Sequence, residues 1–140
     1  MKIIDFHENT KEANAVLAVA KTIAGQDFKN IKTFGFLYND KPDAAKGHYI
    51  EILKNGCVDL IDTKRGKYTL HHEDSPAIIV NTHNTDFWNM VFVVLHEICH
   101  SKGCKNENVC NRYAKHKIES FLGGGFEFSI KKIIKSIGRI

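Results

Sequence analysis

A mixed α+β domain is the fold class that the sequence predicts: one helix, then a block of short strands, then two closing helices. Apolar residues recur at helical spacing over residues 10–24. They shift to short runs of strand length between residues 32 and 82, and return to helical length from residue 85 onward. No internal repeat, low-complexity tract or linker interrupts this order, and 140 residues suit one domain, 1–140, whose core needs no disulfide staple.

In NTKEANAVLAVAKTIAG, Asn9 is placed as an N-cap with Glu12 three residues on, a capping-box arrangement, and Gly25 suits the stop. KTFGFLYN (32–39) reads as a strand. HYIEILKNGCVDLID (48–62) reads as two strands joined at Asn55-Gly56, a strong short hairpin signal. GKYTLHH (66–72) is a third candidate, and PAIIVNT (76–82) a short buried or edge strand after a proline, so the strands are expected to form a small antiparallel sheet. TDFWNMVFVVLHEICHSK is a helix capped by Asp86 or Thr85 and stopped at Gly103. ENVCNRYAKHKIESFL is another, halted by Gly123-Gly124-Gly125. The final FSIKKIIKSIGRI is basic and amphipathic, and the expectation is an ordinary terminal helix docked on the domain with its lysines solvated.

Composition narrows the function classes. Hydrophobic content of 43% with 26% charged residues describes an ordinary soluble globular chain. A net charge of +4 is too modest for a dedicated nucleic-acid binder, so direct nucleic-acid contact is not expected. MKIIDFHENTKE is too polar for a signal peptide. No apolar run approaches the roughly 18 residues a membrane span requires. Without a signal peptide, the four cysteines (57, 99, 104 and 110) are expected as thiols or metal ligands rather than disulfides, and the expected compartment is the cytoplasm.

The chemistry concentrates in LHEICHSKGCKNENVCN (95–111). His96 and His100 stand four apart, so on a helix both imidazoles can meet one cation. Glu97 lies about 100° round the helix, placed to touch a water on the metal rather than the metal itself. Two ligands plus a general base is the mechanical meaning of the His-Glu-x-x-His pattern. With 8 histidines and 8 glutamates, chance yields it in roughly one such chain in forty. The bland reading is a solvent-facing histidine pair. Against it, the preceding FWNMVFVVL is apolar nearly all round, so the helix is buried and its polar end needs partners.

A catalytic zinc takes three protein ligands and leaves one position for water. Gly103 lets the chain turn after the helix, and the next candidates are Cys104, Asn106, Glu107, His116 and Glu119. Glu107-Asn108-Val109-Cys110-Asn111-Arg112-Tyr113-Ala114 resembles the E-x-x-[AC]-N-x-x-A signature of the ImmA/IrrE family of small metallopeptidases. The upstream AIIVNTHNTDFWNMVFVVLHEICH resembles that family's strand, loop and apolar helix, so the likeness spans about residues 76–122. It implies a compact zincin-like fold of the gluzincin type, with Glu107 as the third zinc ligand. The spacer from His100 to Glu107 is shorter than that family commonly carries, which demands a tight turn at Gly103 and keeps Glu119 as a fallback. The metzincin extension fails, because its last position is Asn106 and no methionine comes after the motif.

The same stretch suggests further roles. Asn111, one turn after Glu107, is placed to hydrogen-bond a metal ligand or the backbone. A structural alternative has His96, His100, Cys104 and Cys110 closing a tetrahedron, with Cys99 left to core packing. His83 is a candidate for substrate contact, though a surface-loop role is the simpler reading; His7, His48, His71 and His72 carry no spacing argument.

The expected function is therefore a zinc-dependent peptidase, with Glu97 as general base on a water activated by the metal. The strand Ala77–Asn81 is expected to be the edge on which an extended peptide pairs. The ImmA/IrrE resemblance implies a regulatory protease of a phage or mobile element, cleaving a repressor-type protein. The alternative is a non-catalytic binding module whose metal is structural.

Overall fold

The computed structural model describes residues 1–6 and 10–123. The expected cap Asn9, the stop residues Gly124 and Gly125, and the basic segment 128–140 lie outside the described residues. Within them the chain runs β1 (Lys2–Asp5), α1 (Thr10–Ala24), β2 (Thr33–Leu37), β3 (Gly47–Ile50), β4 (Cys57–Asp62), β5 (Gly66–His71), β6 (Ala77–Asn81), α2 (Phe87–Ser101) and α3 (Glu107–Leu122). The fold is mixed α+β, with three α-helices and two small sheets among the described residues.

Its centre is a four-stranded sheet in the order β1-β2-β6-β3. All three helices contribute to the core on one face of that sheet, α3 packing against α2, and the β4–β5 hairpin covers the other face. On the helix side Phe34, Phe36, Ile78 and Val80 meet Val16, Leu17, Ala20, Phe92, Leu95 and Ile118. On the far side Ile4, Leu37, Ala77 and Ile79 meet Ile52, Leu60 and Leu70. Successive β6 residues thus point into two different cores, which is why all five are buried and why AIIVN lacks the polar alternation of a half-solvated strand. α1 buries Ala13, Val16, Leu17, Ala20, Ile23 and Ala24, the stripe its spacing predicts.

Three sequence expectations are corrected. The sheet is not antiparallel throughout: β1 pairs parallel to β2 and β2 parallel to β6, and only β3 runs antiparallel to β6. β1 itself carried no signal, being a four-residue strand that buries only Ile4. The hairpin at Asn55-Gly56 is also not formed. Asn55 adopts φ +68° and Gly56 N–H closes a turn on the Leu53 carbonyl at 2.8 Å, but the flanking strands go to different partners: β3 to β6, β4 to β5. The β-hairpin instead turns at residues 63–65, where the buried Asp62 carboxylate accepts from the amides of Lys64 (2.9 Å), Arg65 (2.8 Å) and Tyr38 (2.9 Å). Finally, β6 is no edge: it lies between β2 and β3, and its main-chain groups are already paired on both sides.

The end of β6 anchors the loops around it. Asn81 is 4% exposed, and its Oδ1 accepts from the amides of Asn39 and His83, both at 3.0 Å. Its Nδ2 donates to the carbonyls of Asn39 (2.9 Å) and Ala45 (3.3 Å). One side chain thereby fastens the loop entering β3 to the loop leading into α2. No helix among the described residues is long and apolar enough to cross a membrane.

Asp62→Ala should lower stability by about 1–3 kcal/mol, since it strips acceptors from three amides at once. The check is a urea unfolding curve, with a shifted midpoint at unchanged slope. An unshifted midpoint would show that the carboxylate does not hold the turn.

Candidate metal centre

α2 starts where the Asp86 carboxylate accepts from the Asn89 amide at 2.9 Å. From Met90 to Cys99 every residue is buried, so the helix has no solvated face over that length. His96 is fully buried and Glu97 is 3% exposed. Their partners come from β3 and from α3.

The turn between α2 and α3 is five residues, 102–106. Gly103 takes φ +95°, which L side chains rarely adopt, and its amide reaches back to the His100 carbonyl at 3.0 Å. Asn106 then caps α3, its Oδ1 accepting from the Val109 amide at 3.1 Å. Glu107 is consequently the first residue of α3, delivered beside the histidines by the tight turn that the short spacer demands.

Glu107 Oε2 lies 2.7 Å from His96 Nε2, Glu107 Oε1 lies 3.1 Å from His100 Nε2, and the two Nε2 atoms are 3.1 Å apart. The outer nitrogens are also engaged. His96 Nδ1 donates to Asn111 Oδ1 at 2.8 Å, and His100 Nδ1 donates to the Cys104 carbonyl at 2.7 Å. A carbonyl oxygen only accepts, so the proton of neutral His100 is on Nδ1 and its Nε2 presents a lone pair. Asn111 sets the same tautomer for His96. Burial pushes the His96 imidazole below its ordinary pKa, with the Glu107 carboxylate pulling partly back, so its inner nitrogen favours the bare form. Three electron-pair donors therefore converge on one point.

That donor set fits a divalent metal. Bonds of about 2.0–2.1 Å in a tetrahedron put neighbouring ligand atoms about 3.3 Å apart, close to the separations here. Two imidazoles oriented from behind and one carboxylate form the type of set that holds zinc or a similar ion. His96, His100 and Glu107 are one of two groups of His, Cys, Asp or Glu among the described residues that could hold a metal ion.

Glu97 does not join the group. Burial pushes its carboxyl up to about 7; the nearby His100 opposes this, the Glu107 charge adds to it, and the Tyr49 amide donates to it and opposes it. β3 passes directly over this part of α2, at Gly47. A Cβ there would collide with Val93 Cγ1 and stand 3.2 Å from Glu97 Oε2, so the close approach requires glycine. Beside it opens a cleft of about 350 Å³, lined by Tyr49 of β3, by Glu51 just after that strand, and by His100, Ser101 and residues 103–105.

The other candidates fall elsewhere. Glu119 pairs with Lys115 at 3.7 Å, and His116 lines a separate groove with Val109 and Arg112. His83 packs edge-on to Tyr38, ring centroids 5.0 Å apart. The tetrahedron of His96, His100, Cys104 and Cys110 is not assembled: Cys110 Sγ lies on the Nδ1 side of His100, at 3.5 Å, while the Nε2 atoms face Glu107. Cys99, Cys104 and Cys110 gather instead as a group of their own. Sequence reasoning missed the Cys104 carbonyl, the Tyr49 amide and the Gly47 crossing. The first two are main-chain groups, which no residue type announces. Comparison with family models, curated proteins and solved structures finds no match to the chain.

Two outcomes are expected. Asn111→Ala should weaken Zn²⁺ binding about 10–100-fold by freeing His96 to rotate, measurable by competition with a chromophoric chelator; unchanged affinity would show that the contact does not orient the ligand. Gly47→Ala should cost about 1–3 kcal/mol of stability from overpacking against Val93, read from denaturant unfolding.

Proposed function

We propose that the chain is a metal-dependent peptidase, with zinc held by His96, His100 and Glu107. One observation carries the reading: beside a complete set of three donors stands a buried carboxylate, Glu97, that takes no part in holding the ion. A purely structural site has no use for it, and burying it costs free energy. When bound, the ion supplies Lewis acidity toward a substrate carbonyl and lowers the pKa of water.

The protein's own groups do the rest. Glu97, with its carboxyl raised to about 7, is matched to accept a proton from water near neutral pH and to return it to the leaving amine. The Tyr49 amide holds that carboxylate in place. Asn111 and the Cys104 carbonyl keep both imidazoles turned inward. An extended peptide would pair along the outer side of β3 rather than β6. β3 ends the sheet order, and its Tyr49, with Glu51 just beyond the strand, lines the cleft that also reaches His100.

The resemblance of residues 107–114 to the ImmA/IrrE signature supports the same reading, because the motif's Glu107 and Asn111 both meet His96, one on each ring nitrogen. On that basis the substrate is a specific protein, of the repressor type, cleaved within an exposed segment.

Glu97→Gln should retain zinc and lower peptide hydrolysis about 10²–10⁴-fold, and a chelator should abolish hydrolysis by the wild type. The experiment is a peptide-library digest read by mass spectrometry, with zinc content measured on the same samples. Hydrolysis that survives Glu97→Gln, or that ignores the chelator, would overturn the assignment.

A further inference from the structure

We propose that Cys99, Cys104 and Cys110 form a second metal site, a three-thiolate cradle for a single thiophilic cation of the Zn²⁺, Cd²⁺ and Cu⁺ class. Their sulfurs all lie within 4.8 Å of one another. They come from three places in the chain: the last turn of α2, the connecting turn, and the first turns of α3. The grouping is thus a product of tertiary structure and not of local spacing. A cation with metal–sulfur bonds of about 2.3 Å needs its sulfurs about 3.8–4.0 Å apart, which the cluster meets with little movement.

Core packing accounts for two of the three. Cys99 and Cys110 are buried, as small apolar side chains commonly are. It does not account for Cys104, which sits in a polar turn between Gly103 and Lys105 and still turns its thiol toward the other two. That residue is only partly buried, so the cluster is open to an entering ion at one corner. Cys57, the remaining cysteine, is exposed and belongs to no such group. An odd number of thiols leaves one out of any internal disulfide, whereas one cation uses all three. Each sulfur that ligates releases its proton to water, and no electron changes hands.

The thiols and the His/His/Glu group are separate but adjacent. The His100 ring lies between them, its Nε2 toward Glu107 and its Nδ1 on the Cys104 carbonyl, 3.5 Å from Cys110 Sγ. An ion on the thiolates would pin residue 104 and with it the carbonyl that orients His100. Soft sulfur donors on one side and nitrogen and oxygen donors on the other would also sort ions by type.

The test is a Cd²⁺ titration of the full chain under reducing conditions, following thiolate-to-cadmium charge-transfer absorption in the ultraviolet. The wild type should develop the band with one equivalent bound to sulfur. Glu107→Ala should keep it, because the neighbouring group contributes no sulfur, so failure of the peptidase reading leaves this result untouched. Cys57→Ser should behave as wild type. Cys104→Ser alters a partly exposed position and should fold normally by circular dichroism, yet weaken Cd²⁺ binding about 10-fold or more. Absence of the band in the wild type, or its persistence at full affinity in Cys104→Ser, would overturn the proposal. So would a disulfide joining two of the three in protein purified without reductant.

Discussion

A helix buried all round, yet ending in polar residues, is the constraint on which the rest of the structure depends. α2 keeps ten consecutive residues out of water, Met90 through Cys99, and the last turns of that stretch carry an imidazole and a carboxylate. Each such group left unpartnered would cost roughly 1–3 kcal/mol. The fold answers from two directions. α3 brings Glu107 and Asn111 to His96, and β3 brings a main-chain amide to Glu97. Tyr49 of β3, whose amide meets Glu97, also lines the cleft that reaches His100, so stability and the candidate site share contacts.

The sheet makes that arrangement possible by burying its middle strand on both faces. Helices press on Ile78 and Val80, the β4–β5 hairpin on Ala77 and Ile79, and β6 becomes a rigid floor. Asn81 then ties the loop entering β3 and the loop leading into α2 to this floor through four hydrogen bonds. β3 is thereby held against α2 closely enough that only glycine fits at residue 47. Asp62 performs a comparable task at the far layer, where one carboxylate organises the hairpin turn and the start of the 38–46 loop.

His100 divides two chemistries. On one side of its ring stand nitrogen and oxygen donors, and on the other three sulfurs. The Cys104 carbonyl, which fixes the ring's tautomer, belongs to the same residue as one of those sulfurs. A change in the sulfur cluster would therefore be transmitted to the imidazole through a single turn of five residues.

The periodic helices were legible in the sequence because their apolar stripes and caps are local properties. Thr10–Ala24 and Glu107–Leu122 coincide with the spacing, and Asp86 caps α2 as its position suggests. The four-residue interval of His96 and His100 likewise determined that their rings would share a face. Strand pairing was not legible, since a strand's partner is chosen by distant residues. Asn55-Gly56 made its turn, but β3 went to β6, where its edge could lie over α2, and β4 went to β5 across the Asp62 turn. Residue type alone left Cys104, Asn106, Glu107, His116 and Glu119 as candidates to join the histidines; the likeness to a known signature favoured Glu107. Tertiary structure decided which of them meets the Nε2 atoms, because the answer depends on how sharply Gly103 bends the chain and on where Asn106 starts the next helix. It also decided that the three thiols would gather with each other rather than join the Nε2 atoms of the histidines, because the same bend turns Cys104 toward Cys99 and Cys110, on the Nδ1 side of His100.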